Sequence, residues 1–195
     1  MKNILVIGSG RSAVTLIKYL LENSVKNDWK VTVADFSLDS ALDAVDNNVN
    51  GRAILFNVED ELQRSKEIKG SDIVISMLPA SLHVTVAKDC IKFKKNLVTA
   101  SYVSNEIAAL NDEAKNAGVL LLNEIGLDPG IDHMSAMKVI DDIKDEGGEI
   151  TSFKSYCGGL VHPDYDDNPW NYKFTWNPRN VVLAGQGTAQ YIESN

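Results

Sequence analysis

Two cysteines in 195 residues, Cys90 and Cys157, are too few and too far apart to staple a fold or to hold zinc through paired thiolates. The three histidines, His83, His133 and His162, show no His-x-x-x-His spacing, so no metal is expected. Basic charge is also scarce: 19 Lys and Arg face 27 Asp and Glu, a net charge of −8, which argues against nucleic acid as a partner. The tight basic cluster Lys92, Lys94 and Lys95 reads as a solvated helix end. No apolar run reaches membrane-spanning length, and no apolar segment with a small-residue cleavage site precedes the first strand pattern. The expected location is therefore the cytoplasm, with no membrane partner.

With 44% apolar and 24% charged residues, the chain has the composition of a globular protein able to bury a sizeable core. Six short, nearly continuous apolar runs recur at residues 4–7, 31–34, 53–56, 73–77, 97–100 and 119–123. Continuous rather than alternating runs are expected of strands covered on both faces. Helical patterns at 12–22, 39–45, 60–68, 82–93 and 105–116 fill the intervals, so strand and helix alternate. This predicts an α/β Rossmann fold, a doubly wound parallel sheet with right-handed crossovers and strand order 3-2-1-4-5-6. Ser104 is placed to cap the helix after it, and Gly118 to end that helix in the left-handed conformation. Cys90 shares helical spacing with Leu82, Val86 and Phe93, which makes it a reduced core residue. Beyond Glu124 the alternation lapses into Asp128-Pro129-Gly130 turn chemistry, a helix at 131–144, a strand at 150–156 and a Trp- and Asn-rich stretch at 168–180. Domains are expected at 1–125 and 126–195, the second an incomplete α+β unit.

The most informative segment is Gly8-Ser9-Gly10-Arg11-Ser12-Ala13, set between the first apolar run and the first amphipathic stretch. Gly8 permits the tight turn off a strand, Gly10 lets backbone approach a pyrophosphate, and Ala13 lets the helix pack closely on the sheet. The phosphates then meet unpaired amides and the positive end of a helix dipole. Asp35 ends the second apolar run about 22 residues after Ala13, where an acid can accept from ribose hydroxyls. Its charge would repel a 2′-phosphate, so NAD is expected ahead of NADP.

Loops at the carboxyl ends of parallel strands meet at one sheet edge, where such folds bind ligands. That edge gathers Gly8 to Ser12, Asp35, Phe36, Asn57, Val58, Leu78 and Pro79 as candidate dinucleotide contacts. Ser101, Tyr102 and Asp128 follow the fifth and sixth strands and face the nicotinamide half and a substrate. Tyr102 is either a structural aromatic or a donor to a substrate carboxylate. His133 is either a hydrogen-bonding residue at a helix start or a general base. Cys157-Gly158-Gly159 after a strand offers close backbone approach to a ligand, or a simple bulge.

Several segments in order, residues 72–79 and 98–104, the run Asn123-Glu124-Ile125-Gly126-Leu127-Asp128-Pro129-Gly130-Ile131-Asp132-His133, then 155–160 and 168–174, resemble the saccharopine dehydrogenase family, in its glutamate-forming branch. The resemblance covers nearly the whole chain. It implies an NAD(P)-dependent oxidoreductase of lysine metabolism that cleaves the secondary amine of saccharopine to glutamate and 2-aminoadipate semialdehyde, or runs the reverse. It further implies a small amino-acid substrate held by Ser101 and Tyr102, cofactor contacts from Leu127, Asp128, Pro129 and Asn177, and a homodimer at full length. Asp128, Tyr102 and Cys157 are the candidates for proton transfer, with the base unassigned. Three departures stand out: Leu160 to Asp164 replace the family's Leu-Pro-Ala-Pro-Glu, Asp35 is an acid that NADP-using relatives often lack, and the family's substrate domain is longer, so that residues 187–195 read as a helix cut short. Two other readings stay open: a non-catalytic NAD-binding module, and a dehydrogenase of another amino-acid or polyamine imine.

Overall fold

The computed structural model describes residues 1–158, 160–174, 178, 179 and 182. It divides into two compact units, Met1–Phe153 and Lys154–Asn195. In the first unit, β1 (Lys2–Ile7), β2 (Trp29–Asp35), β3 (Gly51–Leu55), β4 (Ile73–Ser76), β5 (Asn96–Thr99) and β6 (Leu121–Leu122) form one parallel sheet in the order β3-β2-β1-β4-β5-β6. The order and the parallel pairing are those expected from the alternation of apolar runs.

The apolar run of β1 is continuous because both faces are covered. Ile4 and Val6 pack on one side with Ile17, Leu20 and Leu21 of α1 (Val14–Glu22) and Ala41 and Val45 of α3 (Leu38–Val45). Leu5 and Ile7 point the other way, into a core with Ile68 of α4 (Glu61–Lys69), Val86, Ala87, Cys90 and Ile91 of α5 (His83–Phe93), and Ala114 of α7 (Asn111–Ala117). Cys90 is fully buried, and that burial pushes its thiol up to about 12, which makes it inert. Between α1 and β2 lies the short helix α2 (Ser24–Asn27).

Local signals hold where the chemistry is local. The Ser104 hydroxyl accepts from the Ile107 amide at 3.2 Å at the start of α6 (Asn105–Ala108), and Gly118 closes α7 at φ +68°. The expected single helix over 105–116 is instead two, α6 and α7, joined through Ala109 and Leu110. The expected strand at 150–156 is not formed: residues 151–158 are exposed coil, and among the described residues they pair with no other strand. A strand needs a neighbour to receive its amide and carbonyl groups. Before it runs α8 (Ile131–Asp145), none of whose residues is buried.

The second unit carries a short 3-10 turn at Pro163–Tyr165 and an isolated antiparallel bridge between Leu160 and Tyr172. The Asn168 side chain holds the Trp170 amide at 3.1 Å and the Tyr172 carbonyl at 3.0 Å, and the Tyr172 ring meets Phe174 edge-on.

Candidate functional site

The turn after β1 is built around Gly8. Its φ is +101°, and a Cβ there would stand 2.9 Å from the Met77 carbonyl oxygen, so both the backbone angle and the space demand glycine. A Cβ on Gly10 would meet nothing within 4 Å; its value is the open approach it leaves for a ligand. Gly10, Arg11 and Ser12 are exposed, while Ala13 is buried where α1 begins against the sheet. Among the described residues, the amides of Gly10, Arg11 and Ser12 have no backbone acceptor, which leaves them available to a phosphate.

Asp35 does more than its position suggested. One carboxylate oxygen accepts from the Ser9 amide at 2.7 Å and the Ser9 hydroxyl at 2.9 Å, and the other accepts from the Ser37 amide at 2.9 Å. Partial burial alone would raise its pKa, but bonds from the amides of Ser37, Ser9 and Phe36 and from the Ser9 hydroxyl outweigh it and hold the group below its ordinary value. Asp35 is thus an ionised group that tethers the glycine turn from the neighbouring strand. Beside it opens a cavity of about 340 Å3 lined by Gly8, Asp35, Phe36, Asn57, Val58, Leu78 and Pro79 among others. These are among the residues expected to contact a dinucleotide, and Phe36, 79% exposed, offers a flat apolar face there. A second cleft of about 390 Å3, lined by Asn3, Lys30 and Arg52 among others, opens at the amino ends of the strands, away from these loops.

The second half of the edge is stitched together by backbone. The Glu124 amide donates to the Ser101 carbonyl at 3.0 Å, the Ile125 amide to the Thr99 carbonyl at 3.2 Å, and the Val103 amide to the Glu124 carboxylate at 3.1 Å. Residues 126–130 then close on themselves, with the Gly126 amide bonded to the Pro129 carbonyl at 2.8 Å and a cis peptide between Asp128 and Pro129. Gly130 is at φ +147°, and a Cβ on it would overlap the Gly126 backbone. The result is a tight loop with Pro129 and Gly130 buried and Leu127 and Asp128 exposed, tied beside half-buried Ser101 and exposed Tyr102.

His133 bonds Asp132, ring Nδ1 to carboxylate at 2.8 Å, and the same carboxylate oxygen accepts from the Gly130 amide at 2.9 Å. This is a hydrogen-bonding arrangement at the start of a helix, made through Nδ1. Cys157 is exposed in the second unit, and with no strand before it the strand-end reading of Cys157-Gly158-Gly159 is corrected. Gly159 and Asn177 lie outside the described residues.

Sequence reasoning passed over His83. Its ring is 2% exposed and bonds three hydroxyls: Ser76 at 2.9 Å, Thr99 at 3.2 Å and Ser101 at 2.8 Å. Burial lowers its pKa, so the ring is neutral near pH 7. The signal that could have found it is a hydroxyl at the end of each of two adjacent apolar runs, Ser76 and Thr99, which are register partners in the sheet.

Residues 4–122 match the saccharopine dehydrogenase NADP binding domain and residues 126–195 the saccharopine dehydrogenase C-terminal domain. The chain is 43% identical over 190 residues to the NADP(+)-dependent, L-glutamate-forming saccharopine dehydrogenase of Saccharomyces cerevisiae, covering 97% of this chain and 42% of that protein. It is 46% identical over 170 residues to the alpha-aminoadipic semialdehyde synthase of Arabidopsis thaliana, covering 87% of this chain and 16% of that one. A solved structure of the Saccharomyces cerevisiae saccharopine dehydrogenase, in its apo form, superposes with a TM-score of 0.82 at 42% identity over 94% of this chain and 40% of that one. The chain therefore spans less than half the length of these relatives, and it belongs to the saccharopine dehydrogenase family.

Proposed function

We propose that this chain supplies the dinucleotide-binding part of an oxidoreductase that cleaves saccharopine at its secondary amine to glutamate and 2-aminoadipate semialdehyde, or forms it in reverse. The observation that carries the reading is the pairing, on one sheet edge, of the Asp35-tethered glycine turn with Ser101, Tyr102 and the 126–130 loop. The first group suits a dinucleotide, the second a polar substrate beside its nicotinamide. A bound nicotinamide would supply the acceptor for a hydride from the carbon next to the amine nitrogen. The nitrogen lone pair then forms a C=N bond, water adds to that carbon, and the carbinolamine collapses with glutamate as the leaving amine. Water must lose a proton and the nitrogen must gain one; Tyr102, Asp128 and Cys157 remain the candidate groups. Ser101 and Tyr102 present hydroxyls suited to a substrate carboxylate.

For the cofactor, the family description and the yeast relative specify NADP. Asp35 favours NAD in this chain, because it is held ionised and is followed by Phe36, Ser37, Leu38 and Asp39, with no cation among them to meet a 2′-phosphate.

The test is to incubate the polypeptide, as naturally produced, with saccharopine and NAD or NADP, following absorbance of the reduced cofactor and trapping the aldehyde. Glutamate and semialdehyde in equal amounts are expected, faster with NAD. Dinucleotide binding without saccharopine oxidation would leave only the binding part of the reading. Oxidation of lysine or a polyamine imine instead would move the substrate.

A further inference from the structure

Ser76 and Thr99 stand side by side at the last positions of β4 and β5, both in the core. Two buried hydroxyls at these strand ends need partners, and His83 at the first turn of α5 provides one for both. The ring goes further. Its Nε2 lies 2.8 Å from the hydroxyl of Ser101, which is half-buried at the rim, so the imidazole joins two buried strand ends to the loop that follows β5. A neutral imidazole offers one donor and one acceptor, and whichever nitrogen carries the proton, Nε2 is a partner for the Ser101 hydroxyl. A serine side chain on a loop otherwise samples three staggered rotamers.

We propose that His83 is a positioning residue that fixes the Ser101 hydroxyl in the orientation that receives the charged amino-acid end of the substrate. This rests on the assignment of Ser101 to substrate in the proposed function. Being 2% exposed, His83 does not touch the ligand itself. Holding one rotamer in advance removes an ordering cost from binding, so the effect belongs to substrate affinity rather than to the hydride step.

Asparagine and glutamine separate this role from a structural one. In His83→Asn the amide occupies the place of Nδ1 and keeps Ser76 but stops short of Ser101; in His83→Gln the longer side chain carries a polar atom to the place of Nε2. For the naturally produced polypeptide, His83→Asn is expected to raise the KM for saccharopine about fivefold, more than it lowers kcat, with dinucleotide affinity retained. His83→Gln recovers most of that loss, and adding His83→Asn to Ser101→Ala costs nothing further. Equal effects of the two amides, or additive effects in the double variant, overturn the proposal. Absence of saccharopine turnover in the wild type sinks the proposed function instead, and the link is then read from the side-chain couplings of Ser101. One rotamer in the wild type and in His83→Gln but averaging in His83→Asn supports the link; a single rotamer in His83→Asn overturns it.

Discussion

Asp35 shows how one side chain serves structure and specificity together. Its oxygens already accept from the Ser9 amide, the Ser9 hydroxyl and the Ser37 amide, three of a carboxylate's about four acceptor positions, so an incoming ribose hydroxyl takes the last one or displaces one of these. Replacement by alanine is expected to weaken NAD binding about tenfold, through lost acceptors and a loosened turn, and to narrow the gap to NADP by removing the repelling charge. Titration calorimetry with both cofactors checks this; equal losses for the two would remove the specificity role. His83 carries a pH signature of its own. Burial lowers its pKa in the folded protein below the ordinary 6.5, so the unfolded chain takes up this proton first as pH falls. The stability it contributes is fully present above about pH 6.5 and declines through the window down to the folded pKa. Denaturant midpoints measured between pH 7 and 5.5 should fall, and His83→Gln should flatten that slope.

Among the elements, the inner strands were legible because both their faces are covered and a continuous apolar run has few other uses, whereas β3 and β6, at the two edges of the sheet, carry no buried residue. Residues 150–156 carry Ile150, Phe153 and Tyr156 among polar neighbours, a sparser pattern than the six runs, and a strand exists only through its neighbour, which nothing local announces. The same limit hid His83, whose partners at 76, 99 and 101 meet only after β4 and β5 pair. The glycine turn was readable because its demands are local: positive φ at Gly8, open space at Gly10, and an acid at the next strand end. The packing of α4 on α5 includes a second long-range polar contact, the Arg64 guanidinium on the Asp89 carboxylate at 2.7 Å, both buried, with Arg64 also donating to the Val58 carbonyl at the border of the cavity beside Asp35. Removing one partner strands a buried charge. Asp89→Ala is expected to cost about 3–5 kcal/mol in chemical denaturation, whereas a double replacement, Arg64→Met with Asp89→Leu, should recover most of it. If the single variant costs under about 1 kcal/mol, the pair behaves as a surface bridge.

For the molecule as a whole, the distribution of burial sets what can be tested first. Among the described residues, the buried aliphatic and aromatic side chains run from Ile4 to Val119, most of them in the sheet and its flanking helices, whereas Ile131, Met134, Met137, Val139 and Ile143 of α8 are exposed. The sheet edge that bears Gly8, Asp35 and Phe36 is therefore part of the best-packed region, and a dinucleotide seated there binds the folded state alone. Such a ligand at about a hundred times its Kd adds roughly 2.7 kcal/mol of stability. For a chain of this size that corresponds to a rise in Tm of about 5–10 °C. NAD is expected to produce the larger rise and NADP the smaller, and Asp35→Ala should bring the two together. The difference between cofactors isolates the carboxylate, because the pyrophosphate and the glycine turn contribute equally to both. No rise with either cofactor would leave the turn after β1 a structural corner, and the proposed chemistry at Ser101 and Tyr102 would lose the hydride acceptor it depends on.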